Sequence, residues 1–525
     1  MKFNKIILCT AFTALLYSCA STPKKNKLLE SHANKKTDTS YLFVKDSNNI
    51  YFTVLQLNDV YEIAPVQKGK YGGMARVETI RQELLKEDVN TFTVLAGDFL
   101  NPSLLGTMKL DGEGVKGRQM VEVMNAMNFD LVAFGNHEFD ISYKDLQSRL
   151  NESNFAWMSS NVLHNVDGRT HCFQKIKKGR KIAVNDSYIR EVSRNGTTIK
   201  VGFIGSCIAS NPKDYVSYGD VYLEAERSYN EIKDQTDLIL GLTHLSIDQD
   251  IELAKKIPSI PLIMGGHEHT NNYLNIGNVK IAKADANAKS VYIHRFEFNP
   301  LTKETKVISE LREVNATIPE NKRIAAIVNK WENILNKKIK DVVSDPKEIL
   351  YTAITPLEGR DTPTRSQQTN MGSIITKAMS SAYKGNVDCS IVNGGSIRID
   401  DTLVGDINAI DVFRILPFGG AVLKVEIKGS LLSKVLDYGE DNIGTGTYLQ
   451  TNNVTKQGIN WLINNVLLDV DKTYTVALTD YLMKGFDIPF LKKSNPDIIN
   501  VYEPKGQEIA LDIRKSVIEY FKTIK

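Results

Sequence analysis

Short β-rich runs alternate with amphipathic helical stretches from Ile50 to about Ile263, and this alternation limits the possible folds more than any other feature of the chain. The predicted strands are Tyr51 to Leu57, Thr91 to Leu95, Asp130 to Ala133, Lys200 to Ile204, Asp237 to Leu242 and Pro261 to Ile263. Apolar residues between the strands recur at helical spacing, which indicates helices that pack one face on a sheet. The pattern predicts a layered α/β domain.

Polar residues that can bind metal ions follow five of these strands. The motifs are Asn58-Asp59, Gly97-Asp98, Gly135-Asn136-His137-Glu138-Phe139-Asp140, Thr243-His244 and Gly265-Gly266-His267-Glu268-His269. Because ligands collect at the carboxyl ends of strands in open α/β sheets, we expect the five motifs to converge on one site. Carboxylate, amide and imidazole groups suit zinc, manganese or iron. A carboxylate that bridges two ions about 3.5–4 Å apart forms a clamp for in-line attack on phosphorus.

Each motif taken alone also has a purely structural interpretation. A Gly-Asp pair after a strand is commonly a turn, and a single His at a strand end is commonly a hydrogen-bonded polar residue. The order and the common placement of the motifs are what predict a metal centre.

A single predicted helix near Pro319 separates this region from a second α/β unit. Apolar residues, Trp331 among them, recur there at i, i+3 and i+4 spacing. We interpret residues 319–342 as a linker helix between a domain at 48–318 and a domain at 343–525. In the second unit we predict a helix near Met371 to Met379, a strand near Val387 to Val392 and a closing helix from about Ala510 to Phe521.

The first residues predict export and lipid attachment. Lysines precede an apolar stretch from Ile6 to Tyr17 that is too short to span a bilayer comfortably and is typical of a signal peptide. The stretch ends in Leu16-Tyr17-Ser18-Cys19, which resembles the lipobox of bacterial lipoproteins. We expect residues 1–18 to be removed, Cys19 to carry lipid and residues 19–47 to form a tether. A plain secretory signal with an incidental cysteine is the alternative.

Charge argues against nucleic acid as a partner, and cysteine content argues against a disulfide framework. Lys plus Arg total 65 against 62 for Asp plus Glu, and a formal charge of +3 over 525 residues does not indicate binding to nucleic acid. Once Cys9 leaves with the signal and Cys19 takes lipid, Cys172, Cys207 and Cys389 remain, an odd number that makes no disulfide framework. A bond between the first two of these stays open. The sequence names no protein partner.

In content and order, the strand-end motifs resemble the calcineurin-like metallophosphoesterase signature, and the third motif resembles that of the 5′-nucleotidase branch. The resemblance implies two divalent metal ions, the first bound by Asp59, Asp98 and His269 and the second by Asp98, Asn136, His244 and His267. Asp98 would bridge them. The resemblance also implies that His137, held by Asp140, acts as an acid or stabilises the transition state.

One position departs from that family. Its first motif contains Asp-x-His, whereas this chain has Asp59-Val60-Tyr61. A phenol binds zinc less readily than an imidazole does. The departure predicts a first metal site that is weaker, that uses water in this place or that prefers another ion.

The C-terminal unit resembles the substrate-binding domain of 5′-nucleotidases, so the likeness runs from about Tyr51 to the end of the chain. The motifs are Thr369-Asn370-Met371-Gly372, Asn393-Gly394-Gly395-Ser396-Ile397-Arg398 and Pro417-Phe418-Gly419. By this likeness the substrate-binding residues are Arg360, Arg365, Asn393, Arg398, Phe418, Tyr481 and Asp487. The arginines would hold phosphate, the two rings would stack on the base, and the aspartate would bind ribose. Solvated surface charge for the arginines and core packing for the rings are the alternatives.

The resulting expectation is a hydrolase of the α/β fold class. It would contain a layered N-terminal calcineurin-like metallophosphoesterase domain, a linker helix and a C-terminal α/β domain that binds nucleotides. It would hydrolyse nucleoside 5′-phosphates outside the cytoplasm, anchored by lipid to a membrane and facing the periplasm or the cell surface. Two other functions stay open. A UDP-sugar or cyclic-nucleotide phosphoesterase of the same fold is one, because the metal core does not select the leaving group. A metal-impaired, nucleotide-binding surface lipoprotein is the other, and Tyr61 favours it.

Overall fold

The computed structural model describes residues 43, 46, 48–210, 213–340 and 342–525. The predicted signal peptide, Cys19 and nearly all of the predicted tether lie outside the described residues. Among the helices within these ranges, none combines the length and the apolar character needed to cross a bilayer.

Two six-stranded sheets form the centre of the N-terminal domain in the described chain. In spatial order, the first sheet contains Thr305–Glu313, Ser290–Phe298, Ile50–Leu57, Thr91–Ala96, Leu131–Ala133 and Ala156–Met158. The second contains Ser187–Arg194, Thr197–Ile204, Leu238–Thr243, Leu262–Gly265, Val279–Lys283 and Asn272–Ile276. Neighbouring strands in the middle of each sheet run parallel. Antiparallel strands complete both edges of the second sheet but only one edge of the first, because the edge strand Ala156–Met158 pairs parallel with its neighbour.

The two sheets face each other across a buried apolar layer. Phe52 and Val94 of the first sheet pack in one buried cluster with Phe203, Leu240 and Met264 of the second. The outer faces are covered by helices: Met74–Glu87, Arg118–Met127 and Tyr143–Glu152 on the first sheet, and Val221–Ile232 and Ile247–Lys256 on the second. The domain is therefore a four-layer sandwich, helix on sheet on sheet on helix.

All six predicted strands of this domain are present, with ends that differ by a few residues. The strands after residue 263 that complete both sheets are not among those predicted from the sequence. These strands are Asn272–Ile276, Val279–Lys283, Ser290–Phe298 and Thr305–Glu313. They are joined by hairpins and short turns, so the alternation of strand and helix that revealed the earlier strands is missing here.

Helix Lys322–Lys340 leads from the first domain to the second and packs on the first. Trp331 is buried on its apolar face, and the indole Nε1 donates a hydrogen bond to Glu122 Oε2 at 3.0 Å. Lys330 pairs with the same carboxylate at 2.8 Å. The linker helix expected from the sequence is thus anchored to the N-terminal domain by both apolar and polar contacts.

A five-stranded mixed sheet forms the centre of the C-terminal domain. In spatial order its strands are Leu449–Asn452, Cys389–Asn393, Thr473–Thr479, Val422–Lys428 and Ile498–Tyr502. The described helices of this domain are Asp361–Thr364, Asn370–Ser381, Ala409–Ile415, Gly429–Asp441 and Ile513–Thr523. The closing helix begins three residues later than the sequence predicted, because the Asp512 side chain caps it by accepting from the N–H of Arg514 at 2.8 Å.

Short elements complete the described structure. The remaining strands are Lys109–Leu110, Glu113–Gly114, Val162–Val166, Arg169–His171, Gln174–Lys177, Arg180–Ala183, Val216–Tyr218, Ile349–Glu358, Thr402–Asn408, Val454–Gln457, Asn460–Ile463 and Val466–Leu467. Helix Leu104–Thr107 and the 3₁₀ turns Asn136–Asp140, Gly394–Ser396 and Ile509–Leu511 account for the rest. Cys172, Cys207 and Cys389 are free thiols, so the open question of a disulfide is answered in the negative for this structure.

Replacing Trp331 with Ala should destabilise the protein by about 3–5 kcal/mol, because it removes a large buried side chain and leaves a cavity between the linker helix and the first domain. The midpoint of thermal unfolding measures this loss. Lys337→Ala, on an exposed position of the same helix, is the matched control and should unfold as the wild type does. An unchanged midpoint for Trp331→Ala would show that the linker helix does not depend on this packing.

Candidate functional site

The carboxyl ends of the parallel strands in both sheets meet at one end of the sandwich. Asp59, Asp98 and Asn136 follow strands of the first sheet, whereas His244 and His267 follow strands of the second. The N–H of His267 donates to Asp59 Oδ2 at 2.9 Å, which joins the two edges directly. The strand-end motifs therefore come together as expected, but they do so from two stacked sheets.

Asp59, Asp98 and His244 form a buried group that can hold a cation. One potential ligand atom from each lies within 4.8 Å of the others. His244 Nε2 is 3.2 Å from Asp98 Oδ2 and 4.0 Å from Asp59 Oδ1. The other ring nitrogen, Nδ1, lies 2.7 Å from the carbonyl oxygen of Ala96 and must donate to it, since a carbonyl only accepts. In the neutral ring this leaves the lone pair on Nε2, ready to bind a metal ion.

Three buried polar atoms at the site have no hydrogen-bond partner among the described residues. They are Asp59 Oδ1, Asn136 Oδ1 and His244 Nε2. Nearly all buried polar atoms in folded proteins are paired, so a group of unpaired ones needs an explanation. All three belong to predicted metal ligands, and two oxygens with one imidazole nitrogen are a donor set for a divalent ion. The residues present therefore fit the implied metal.

The negative charge of the buried carboxylates among the predicted ligands favours binding of positive charge, either a proton or a metal ion. Burial lowers the pKa of His244, but the Asp98 carboxylate outweighs burial and raises the pKa to about 9. Burial raises the pKa of Asp98, and nearby His244 and His137 reverse this, so that its pKa falls well below the usual range. Burial and the neighbouring His244 lower the pKa of His267 to about 4, which keeps it neutral and able to bind metal. A divalent ion would take over the charge of the proton on His244.

Tyr61 lies inside the predicted first metal site. Its hydroxyl is 3.1 Å from Asp98 Oδ2 and 2.9 Å from Nε2 of His269. That same imidazole nitrogen is 3.4 Å from Asp59 Oδ1. Burial, together with the two carboxylates, raises the pKa of Tyr61 well above its usual value, so the phenol keeps its proton. The hydroxyl thus bridges two of the predicted ligands of the first ion.

His137 and Asp140 form the predicted pair within the 3₁₀ turn that follows the third strand. His137 Nδ1 is 2.7 Å from Asp140 Oδ2. The N–H of His137 donates to Asp98 Oδ1 at 2.8 Å, which fixes the turn against the predicted metal ligands. The Arg398 guanidinium of the second domain comes within 4.0 Å of the Asp140 carboxylate. This pair therefore lies where the two domains meet.

Glu138, which has no predicted role, stabilises the loops of the site. Its buried carboxylate accepts hydrogen bonds of 2.6–3.1 Å from the N–H groups of Asp98, Phe99, Leu100 and Gly135. Burial and the charge of Asp98 raise the pKa of Glu138 to about 7. Its place between two predicted site residues was the only signal that the sequence offered.

Four of the predicted metal ligands have a left-handed backbone. The left-handed residues among them are Asp59 (φ 52°), Asp98 (φ 58°), His267 (φ 90°) and His269 (φ 57°). Such conformations cost a non-glycine residue about 1–3 kcal/mol each and cluster at functional sites. Gly266 is required by close approach, because a Cβ there would lie 2.3 Å from the carbonyl oxygen of Ala96.

A cleft of about 1350 Å³ between the two domains exposes most of the predicted site residues to one space. Those that line it are Asp98, Asn136, His137, Asp140, His267, His269, Arg360, Arg365, Asn393, Arg398, Phe418, Tyr481 and Asp487. Asp59 and His244 are fully buried. The residues predicted for metal and for nucleotide thus share a single cleft.

Phe418 and Tyr481 line this cleft with rings that are not part of the core. The two residues are 54% and 38% exposed, which excludes the core-packing alternative. The Tyr481 hydroxyl donates to Asp487 Oδ1 at 2.8 Å, and Asn393 Nδ2 donates to Asp487 Oδ2 at 2.8 Å. Phe486, which is not among the predicted site residues, places its ring centroid 5.9 Å from that of Tyr481.

The three predicted arginines differ in their surroundings. The Arg398 side chain is largely buried at the cleft. Arg365 pairs with Asp361 at 2.6 Å, and its buried Nε has no hydrogen-bond partner in the described structure. The Arg360 side chain is exposed and pairs with Glu358. The surface-charge alternative therefore fits Arg360 and does not fit the other two.

Known proteins resemble this chain in both sequence and structure. Residues 52–271 match the calcineurin-like phosphoesterase family, and residues 349–493 match the 5′-nucleotidase C-terminal domain. The 5′-nucleotidase of Homo sapiens is 26% identical over 470 residues, covering 79% of this chain and 78% of that protein. The snake venom 5′-nucleotidase of Crotalus adamanteus is 26% identical over 512 residues, covering 83% and 81%. The crystal structure of the 5′-nucleotidase precursor from Thermus thermophilus superimposes with a TM-score of 0.70 at 21% identity, over 91% of this chain and 97% of that one.

These matches confirm the two-domain α/β fold and the enzyme class expected from the sequence. The first family covers most of the sandwich that carries the predicted metal ligands, and the second covers most of the domain that carries the exposed rings. The chain therefore belongs to the 5′-nucleotidase family and is a hydrolase with a calcineurin-like phosphoesterase domain followed by a 5′-nucleotidase C-terminal domain.

Proposed function

We propose that this protein hydrolyses nucleoside 5′-monophosphates to nucleoside and phosphate with the help of two divalent metal ions, outside the cytoplasm. The shared cleft is the observation that carries the proposal. The predicted metal ligands and the exposed rings belong to different domains, yet residues of both sets line the same cleft. A nucleotide bound there can meet the metal ions with its phosphate and the rings with its base.

The predicted ligands form two sets, each of which would bind one ion. Asp59, Asp98 and His269 would hold the first ion, and Asp98, Asn136, His244 and His267 would hold the second. Bound there, divalent ions would supply the Lewis acidity that polarises phosphoryl oxygens and lowers the pKa of water. Oxygen and imidazole ligands without thiolate suit zinc, manganese or iron.

Residues of the chain position the phosphate and serve the leaving group. Arg365 and Arg398 supply planar guanidinium groups that bind phosphate oxygens in pairs. Asp140 accepts from Nδ1 of His137, so Nε2 is the atom that can pass a proton at the leaving side. The largely buried position of Arg398 strengthens its attraction for phosphate, because fewer water molecules screen the charge.

The C-terminal domain would recognise the nucleoside. Phe418 and Tyr481 offer ring faces on which any base can stack, so several bases should be accepted. Asp487 is held on both carboxylate oxygens, by Tyr481 and by Asn393. A carboxylate oriented in this way can accept hydrogen bonds from ribose hydroxyls.

The proposed location rests on the N-terminal sequence. A signal peptide at residues 1–18 would direct export, and lipid on Cys19 would anchor the mature chain to a membrane, facing the periplasm or the cell surface. The Lys- and Asn-rich residues that follow would then hold the enzyme away from the membrane surface.

The proposal predicts that the metal-loaded enzyme hydrolyses AMP with a higher kcat/KM than UDP-glucose or cyclic AMP. All three substrates are assayed at equal metal concentration, and a chelator-treated sample is the control and should be inactive. Faster turnover of UDP-glucose or cyclic AMP would favour the related phosphoesterases. Nucleotide binding without turnover of any of the three would favour a metal-impaired binding protein.

Removing either ring should weaken nucleotide substrates selectively. Loss of stacking costs about 1–3 kcal/mol, so Phe418→Ala and Tyr481→Ala should raise KM for AMP roughly 5- to 150-fold, with little change for a small aryl phosphate. Arg398→Ala is the contrasting variant and should impair both substrates, because both carry the phosphate. The ratio of kcat/KM values, AMP over aryl phosphate, is the measurement. Equal ratios in wild type and both ring variants would show that the second domain does not read the base.

Replacing Tyr61 with His should tighten the binding of one ion and leave the other unchanged, because imidazole binds zinc and manganese better than a protonated phenol does. Calorimetric titration with Mn²⁺ measures both affinities. Tyr61→Phe is the matched control, since it keeps the ring and removes only the hydroxyl. If Tyr61→His binds both ions as the wild type does, the idea that Tyr61 weakens the first site is wrong.

A further inference from the structure

A loop of the C-terminal domain reaches into the N-terminal domain immediately after Arg398. At its tip, Asp401 Oδ2 accepts a hydrogen bond from Gln67 Nε2 at 2.6 Å. Its neighbour Asp400 makes a hydrogen bond through Oδ2 with Nδ1 of His269. Asp400 is largely buried and has a left-handed backbone with φ 44°. The two aspartates therefore contact the first domain through different partners, and only one of these partners is a predicted metal ligand.

The contact with Asp400 determines which nitrogen of His269 can bind a metal ion. A carboxylate can only accept, so the proton of the neutral ring lies on Nδ1 and the lone pair lies on Nε2. Nε2 is the nitrogen that lies 2.9 Å from the Tyr61 hydroxyl and 3.4 Å from Asp59 Oδ1. Carboxylates that accept from a metal-binding histidine in this way fix its ring orientation and increase its basicity.

The second oxygen of the same carboxylate contacts the region that would bind phosphate. Asp400 Oδ1 accepts from the N–H of Asp361 at 2.9 Å, at the start of helix Asp361–Thr364. The Asp361 carboxylate in turn pairs with Arg365 at 2.6 Å. One carboxylate of the C-terminal domain thus joins the imidazole of the first domain to the turn that positions a phosphate-binding arginine.

We propose that Asp400 is a positioning residue that orients His269 for the first metal ion across the domain interface. The first ion is then held at full strength only while the two domains lie together as they do here. This inference rests on the proposed function and deepens it. Because Tyr61 stands where the family has a histidine, His269 is the one imidazole in the predicted first ligand set, and that set depends strongly on its orientation.

Thermodynamic linkage couples binding of the first ion to closure of the domains. If closure of the domains raises the affinity for the first ion, then binding of that ion must favour closure by the same factor. The first site would therefore report the position of the substrate-binding domain, whereas the second site, formed by Asn136, His244 and His267 with Asp98, would not.

Titration of the full-length metal-free chain with Mn²⁺ tests the proposal. In Asp400→Ala we expect the affinity for one ion to fall by about 10- to 100-fold, with the other ion bound as in the wild type. Asp401→Ala is the matched control from the same loop, because it removes the Gln67 contact and leaves Asp400 in place. Asp400→Asn keeps the volume and one acceptor, and it should show a smaller loss. It also replaces the alanine variant if that variant does not fold.

A loss of affinity in the Asp400 variants that Asp401→Ala does not share supports the positioning role. Equal losses in both would overturn it, since the loop would then act only by holding the domains together. Wild-type affinity in the Asp400 variants would also overturn it, whether the wild type binds one ion or two. No substrate is present in this titration, so failure to hydrolyse AMP would contradict the proposed function without affecting the result.

Discussion

The buried carboxylates Asp59 and Asp98 impose the constraint on which the rest of the site depends. Two negative charges close together and away from water repel each other strongly unless positive charge or N–H donors balance them. The chain provides part of the balance through the N–H groups of His267 and His137 and through the raised pKa of His244. The strand ends, the strained loops and the sheet packing all serve to hold these groups at one point.

Division of the work between two domains follows from the chemistry of the proposed substrate. Phosphoryl transfer needs concentrated positive charge, and the rigid edges of the stacked sheets can fix its ligands accurately. Recognition of a nucleoside needs exposed rings and adaptable polar groups, which the second domain offers at Phe418, Tyr481 and Asp487. A substrate that spans both domains must be in contact with both for reaction, which gives selection against ligands that satisfy only one.

The sequence predicted the early strands and the convergence of the strand-end motifs, because both rest on local patterns of apolar and polar residues. It did not reveal that the motifs belong to two sheets, since strand pairing is decided by contacts distant in the chain and hairpins such as Asn272–Ile276 with Val279–Lys283 lack a helical signal. Glu138 acts through backbone N–H groups, and Asp400 meets His269 across 131 positions of sequence. No spacing rule reports contacts of these kinds.

The left-handed backbone at four predicted ligands makes the stability of the whole protein depend on bound metal. Strain of about 1–3 kcal/mol at each such residue lowers the stability of the cation-free protein. An ion that binds only the folded chain restores stability, by about 2.7 kcal/mol when its free concentration is about 100 times its Kd. The melting temperature should then follow the metal content of the surroundings, and scarcity of metal would shorten the lifetime of the protein as well as slow its chemistry.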